Sequence, residues 1–293
     1  MTELGETAEP NVLSPADGAG VERVTASDPQ PKAPVDEIRD LIAASEGRLG
    51  DVYRLTEEGL EPEQIAEELN VATFSFVYSY RRYIESALHG TPVAGAVMRR
   101  QTISALNGLL KRGRSQLSPE ALRLLQANRA AVEAAGTAID AAAEAEADAS
   151  DESEATMTLE GLKGVPGIYA FSYGWYLESP VDAERGFTLI KVGRATDIAQ
   201  RIQTHTAGAR AHMPEPLVLI RAYATADLDP AHVEKRFHKL LETAGHDNPR
   251  RSGTSSREVG KEWFLTTEDF LDEVAETLEL RTLYIGQSEF ADE

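Results

Sequence analysis

Three short runs rich in β-branched and aromatic residues, Gly167–Phe171, Phe187–Val192 and Leu217–Ala224, crowd into one stretch of the chain. Each has the length and composition of a strand. Helical patterns are interleaved with them at Asp197–His205, Asp229–Ala244 and Thr267–Arg281. The second of these opens on Asp229-Pro230, an N-cap followed by a first-turn proline, and Gly245 stops it. A short Trp263-Phe264-Leu265 strand follows a Ser/Gly loop rich in arginine, Asn248–Arg257, and residues 287–293 read as a solvated tail. Strands and helices mixed in this way predict an α+β domain over 162–286, built on a small three-stranded sheet with flanking helices.

Ahead of that domain the apolar period is helical. Residues 1–35 carry Pro, Gly, Ala, Asp and Glu without period, and too little apolar surface to offset ordering entropy, which predicts a disordered tail. Over 36–135 apolar stripes recur. Ile65, Ala66 and Leu69 make one face of a helix begun at Pro62, Asn70 sits where it ends, and Phe74–Leu88 resumes the period. This pattern resembles a helix-turn-helix, with Pro62–Leu69 first and Thr73–Leu88 as recognition helix. Thr73, Ser75, Phe76, Ser79, Arg81 and Arg82 are then the residues placed for DNA. Glu57, Glu58, Glu61, Glu63, Glu67 and Glu68 weigh the other way, toward a plain helical bundle or a protein-binding one. Two more helices, Met98–Leu110 and Ser118–Ala135, complete the region. The tract over 136–161 is rich in Ala, Glu and Asp; alanine favours helix, but with no sizeable apolar face to bury the tract predicts a flexible or frayed-helical linker.

The formal net charge of −20 over 293 residues argues against a generic polyanion binder, but the charge is uneven. Between Phe76 and Arg129 only Glu85 and Glu120 oppose Arg81, Arg82, Arg99, Arg100, Lys111, Arg112, Arg114, Arg123 and Arg129. From Ala130 to Glu160 there is no Lys or Arg. Cysteine is absent, which removes disulfides and cysteine-ligated zinc. Met1-Thr2-Glu3-Leu4-Gly5-Glu6 lacks a secretion signal's basic start and apolar run. No apolar run approaches the length of a membrane span. A soluble, cytoplasmic protein is the expectation.

The strand tyrosine Tyr169, the Lys191-Val192-Gly193 that ends the second strand, the Arg201-x-x-x-His205 spacing and a later helical Glu234 stand in a fixed order. That order resembles the GIY-YIG nuclease superfamily, in its phage and restriction-type branch with K-[IV]-G as second motif. The resemblance implies a tyrosine (Tyr169) that helps deprotonate water, an arginine (Arg201) that holds the scissile phosphate, and a glutamate (Glu234) that binds one divalent metal, Mg²⁺ by preference. It places Lys191 where the second tyrosine usually stands and His205 one helical turn after Arg201, and it puts Arg194 among the DNA contacts. Spacing agrees independently: Arg201 and His205 are neighbours on one helix face, with Ile198 and Ile202 beside them to pack on the sheet. Glu234 could also pair with His238 one turn on.

The sequence is therefore read as a metal-dependent DNA endonuclease with an N-terminal DNA-binding region. The alternative is a non-catalytic DNA-binding protein on the same scaffold.

Overall fold

The computed structural model describes residues 32–135, 141–209, 215–249 and 260–290. Most of the expected N-terminal tail lies outside them. Pro34 and Val35, assigned to that tail, instead open the first helix, where a proline's missing N–H is no loss.

Six helices form the N-terminal half: α1 (Pro34–Ala43), α2 (Arg48–Glu57), α3 (Pro62–Glu68), α4 (Ser75–His89), α5 (Ala96–Gly113) and α6 (Pro119–Ala135). Helix α3 starts on a capping box, in which the Glu61 N–H donates to the Gln64 side chain at 2.9 Å. Asn70 ends the turn after it in the left-handed region (φ 53°), and Gly90 closes α4 in the same way (φ 66°). Ile38, Ile42, Val52, Ile65, Val77, Leu106 and Leu125 interlock behind these helices. Each such burial contributes about 1.5–3 kcal/mol. Phe76, expected on the DNA face, is 2% exposed and belongs to this core. The helical period put Phe76 next to the presented residues, but Val77 and Phe76 together form the buried edge of α4.

The tract expected to be a flexible or frayed-helical linker is a helix over Ala141–Gly161, α7, and it docks on the fold. Residues 136–140 lie outside the described ones. Alanine needs no large face to dock, because its small side chain lets backbones approach closely. Ala155 joins the core against the sheet, Ala147 packs near Gly95, and Arg99 donates to Glu144 at 2.7 Å.

The sheet has five strands rather than three: β1 (Gly167–Tyr173), β2 (Thr188–Ala195), β3 (Leu217–Ala224), β4 (Trp263–Thr266) and β5 (Arg281–Phe290). Their order is β4-β2-β1-β3-β5, with every neighbour antiparallel. Between them lie α8 (Gly174–Glu178), α9 (Ile198–Ala209), α10 (Pro230–Thr243) and α11 (Glu268–Thr277). The last helix stops short of Arg281, because Glu279 turns the chain in the left-handed region (φ 55°). The chain then runs as β5 through what was expected to be tail. Thr282 and Tyr284 alternate inward there, and Phe290 is also buried. One face of the sheet packs Ile168, Ala170, Ile190 and Val192 against Val233, Phe237 and Leu271 of α10 and α11. The other packs Tyr169, Phe171 and Leu219 against Ile198 and Ile202 of α9.

The helical half and the sheet meet along β5. Thr282 donates to the Asn70 carbonyl at 3.2 Å and accepts from Ala72 N–H at 2.8 Å. Ile285 reaches into the helical core. Beside this seam is a sealed polar cluster. Arg221 of β3, with its side chain 1% exposed, holds Asp272 through Nε at 3.0 Å and Glu268 through Nη1 at 2.9 Å. Tyr223 donates to Asp272 at 2.9 Å.

Candidate active site

Tyr169 stands in the middle of β1, directly opposite Gly193 of β2. A Cβ at position 193 would fall 2.6 Å from the Tyr169 hydroxyl. The glycine of the second motif is therefore a steric requirement: the phenol lies across its backbone. The ring is 1% exposed, and its hydroxyl points toward α9.

Helix α9 begins where Asp197 accepts the Gln200 N–H at 2.9 Å, and these backbone hydrogen bonds hold the Asp197 carboxyl below its usual range. Ile198, Ala199 and Ile202 anchor the helix to the sheet. Arg201 and His205 are left on the side that faces Tyr169. The Tyr169 hydroxyl lies 3.0 Å from His205 Nε2, and Arg201 Nε donates to the same hydroxyl at 3.4 Å. Lys191 Nζ lies 3.4 Å from His205 Nε2. With donors on both sides, Nε2 is the acceptor, which places the ring proton on Nδ1. Burial, then the Lys191 and Arg201 cations, push the His205 pKa down to about 4. Burial raises the Tyr169 phenol, and the Arg201 hydrogen bond opposes that rise. At neutral pH the set is thus a neutral imidazole accepting from a protonated tyrosine.

Across the opening, Arg194 at the end of β2 donates to Glu234 of α10 at 2.8 Å. Glu234 does not pair with His238, which donates instead to the Val192 carbonyl at 2.8 Å and lies against Phe264. Lys191 pairs with Glu262 at 3.1 Å. Tyr169, Arg194, Arg201, Glu234 and Glu262 together line a pocket of about 400 Å³, with Asp197 and Thr204 on its rim. Lys191 and His205 sit behind this wall and touch the pocket through Glu262 and Tyr169. Glu262 went unnoticed in the sequence. It follows a polar loop with no period, and only its position one residue ahead of β4 brings it to the pocket. Among the described residues, no three His, Cys, Asp or Glu side chains converge into a metal-holding group.

The residues assigned to DNA in the helical half are scattered by comparison. Thr73, Ser75 and Arg82 are exposed, and Ser79 is half-buried. Arg81 turns inward and donates to Thr56 Oγ1 and the Leu60 carbonyl, both at 3.3 Å. Part of the basic run is likewise held within the fold: Arg99 by Glu144, Arg100 by Glu289 at 2.6 Å, and Arg129 by Glu133 at 2.8 Å.

Residues 168–279 match the T5orf172 domain. The T5orf172 match runs from Ile168 of β1 to Glu279 just past α11, so it contains all the residues that line the pocket. It leaves out the helical half, α7 and β5. No curated protein and no solved structure matches the chain. Among the described residues no helix is long and apolar enough to cross a membrane.

Proposed function

We propose that the chain is a DNA endonuclease that hydrolyses phosphodiester bonds in the pocket between β1, β2, α9 and α10, assisted by a divalent cation. The observation that carries this reading is the convergence of Tyr169, Arg201 and Glu234, from three separate elements, around one pocket. The T5orf172 domain, phage-associated and related to the GIY-YIG/HNH-like nuclease type, supports it. So does the GIY-YIG order of parts along the chain.

On this reading Arg201 holds a non-bridging phosphate oxygen with the guanidinium edge that Tyr169 does not engage. His205 accepts the hydrogen bond of the Tyr169 hydroxyl, which leaves an oxygen lone pair for the pocket. As the attacking water's oxygen bonds to phosphorus, Tyr169 takes the water's proton and passes its own to His205 Nε2, while the P–O bond to the leaving oxygen breaks and that oxygen takes a proton from solvent water. Lys191 fixes Glu262. The donor set fits Mg²⁺, which binds through one or two carboxylates and keeps several waters: Glu234 and Glu262 line one pocket and would hold it. When bound, the cation lowers the pKa of a water and offsets phosphoryl charge. Arg194 covers Glu234 in this structure and must release it first. The helical half adds duplex contact along α4, as a helix-turn-helix does, through Thr73 just ahead of it, Ser75 at its first residue, Ser79 within it and Arg82 at its middle.

That same Arg194–Glu234 pair favours a second reading, a DNA-binding protein whose carboxylate is permanently masked. Supercoiled plasmid incubated with the full chain separates the two. Conversion to nicked or linear DNA with Mg²⁺ and none with EDTA supports the nuclease. Plasmid retarded on a gel but intact with Mg²⁺ or Mn²⁺ leaves the binder.

A further inference from the structure

The connection between β1 and β2, residues 174–187, is longer than an antiparallel pair needs, and it places aromatic rings in a continuous row leading away from the pocket. Tyr169, Phe171 and Tyr173 share one face of β1, since side chains alternate along a strand. Tyr169 stacks on Phe171 at 6.0 Å with the rings 3° from parallel. Trp263 of β4 meets Phe171 edge-on at 5.8 Å and lies nearly parallel to Tyr173 at 5.9 Å. Tyr173 then contacts Trp175 of α8 at 6.2 Å. The row begins at the pocket hydroxyl and ends on an indole that is 42% exposed.

Two features argue against reading Trp175 as incidental surface. Helix α8 is anchored: Leu177 is buried in the sheet's core, and Thr188 donates to the Tyr176 carbonyl. The exposed indole is therefore held in place rather than free to fold back. The row also adjoins the pocket: Lys191 lies 5.4 Å from the Phe171 ring centre and pairs with Glu262 of the pocket, the residue directly before Trp263. A ligand whose phosphate reaches Arg201 and whose next group is flat and apolar matches both features. A nucleotide strand has this chemistry. A base within a duplex is already stacked on both faces, so only an unpaired or extruded base can lie on a protein ring.

We propose that Trp175, Tyr173 and Trp263 form a stacking platform for unpaired bases of DNA flanking the phosphate in the pocket. The inference rests on the nuclease reading for the pocket but has its own readout. The chain has two tryptophans, and both belong to the row. Intrinsic fluorescence of the full-length protein, titrated in EDTA to prevent cutting, therefore reports on this surface alone. The probes are a 12-nucleotide single strand, the same strand with abasic sites throughout, and its blunt duplex. The single strand should quench the fluorescence and bind more tightly than the abasic strand, which keeps every phosphate. Trp175→Ala should weaken single-strand binding about 5- to 100-fold, the range for loss of one base–aromatic stack. Trp175→Phe should retain most of the affinity and leave Trp263 as the sole reporter, still quenched. Equal affinity for intact and abasic strands, or wild-type affinity in Trp175→Ala, would overturn the platform, and the abasic arm needs no variant to fold. Plasmid cleavage with Mg²⁺ but no fluorescence response removes this inference and keeps the nuclease. Quenching without cleavage keeps the platform and removes the nuclease.

Discussion

Two clusters of nearly the same side chains stand on this one sheet, and they do opposite things. The first is Tyr169 with Arg201 and Glu234; the second is Tyr223 with Arg221 and Asp272. In the second, Arg221 is saturated. It makes contacts at 3.0 and 3.2 Å to the two Asp272 oxygens, 2.9 Å to Glu268 and 2.8 Å to the Ile220 carbonyl. Tyr223 spends its proton on Asp272, and Arg48 approaches from the helical half at 3.8 Å. In the first, Arg201 makes one long contact of 3.4 Å, and its guanidinium stands beside a pocket. The Arg194 that holds Glu234 has a side chain 47% exposed. Residue types alone therefore do not separate a candidate site from a structural bolt. Access and unspent hydrogen-bonding capacity do.

Several substitutions break or sharpen that contrast. The largest effect is expected from the tyrosine pair. Tyr169→Phe should lower cleavage by on the order of 10²–10⁴ with little change in unfolding midpoint. Tyr223→Phe should leave cleavage near wild type and cost about 1.5–3 kcal/mol of stability, because a buried carboxylate loses a donor. Denaturant melts and plasmid-cleavage rates on the two proteins, read together, check it. Next comes Asp272→Ala, which strands Arg221 without its main partner in the interior. It should cost about 3–5 kcal/mol, visible as a lowered urea midpoint.

A smaller effect is expected from pH. His205 has a folded pKa of about 4, below its ordinary 6.5, so it contributes no acid limb near neutrality. Between those two values the unfolded chain binds a proton that the folded chain refuses. Its contribution to stability therefore falls as pH drops through that window. Lys191→Met removes one of the two cations holding the pKa down. NMR titration of the His205 ring should then show its pKa moved up toward 6.5, and the cleavage profile should gain an acid limb at higher pH. The smallest change in stability, under about 1 kcal/mol, is expected for Arg194→Ala, since that pair is open to water. The same variant should bind Mn²⁺ more tightly in calorimetry without DNA, because the competitor for Glu234 is gone.

Much of the sheet's centre was legible because Gly167–Phe171, Phe187–Val192 and Leu217–Ala224 are buried on both faces and read as apolar runs. Strand β5 was not. Arg281, Gly286, Gln287 and Glu289 dilute its inward residues, and the helical period of α11 runs up to it without a proline or glycine stop; the turn is made by Glu279 in the left-handed region. The docking of α7 was hidden for a related reason: it rests on alanine and on a charge pair to Arg99 rather than on large apolar residues. At the site, Tyr169, Arg201 and Glu234 were visible through their order, and the structure brings them to one pocket. Glu262 was invisible because strand pairing places it there: Trp263 sits opposite Lys191, and Val192 N–H donates to the Glu262 carbonyl. Arg221 stands in the middle of the β3 pattern with nothing nearby in sequence to pair with it, and only the packing of α11 over β3 shows that it is sealed.

On the proposed reading the open cluster, and not the sealed one, hydrolyses DNA. The most direct measurement is the single-turnover cleavage rate of supercoiled plasmid with Mg²⁺, for wild type and Glu234→Ala purified side by side, with binding to the same plasmid measured in EDTA. The expected result is cutting by wild type and none above the EDTA background by Glu234→Ala, with DNA binding kept or tightened as a negative charge leaves the pocket. Equal cutting by both proteins would contradict the claim and place the activity elsewhere.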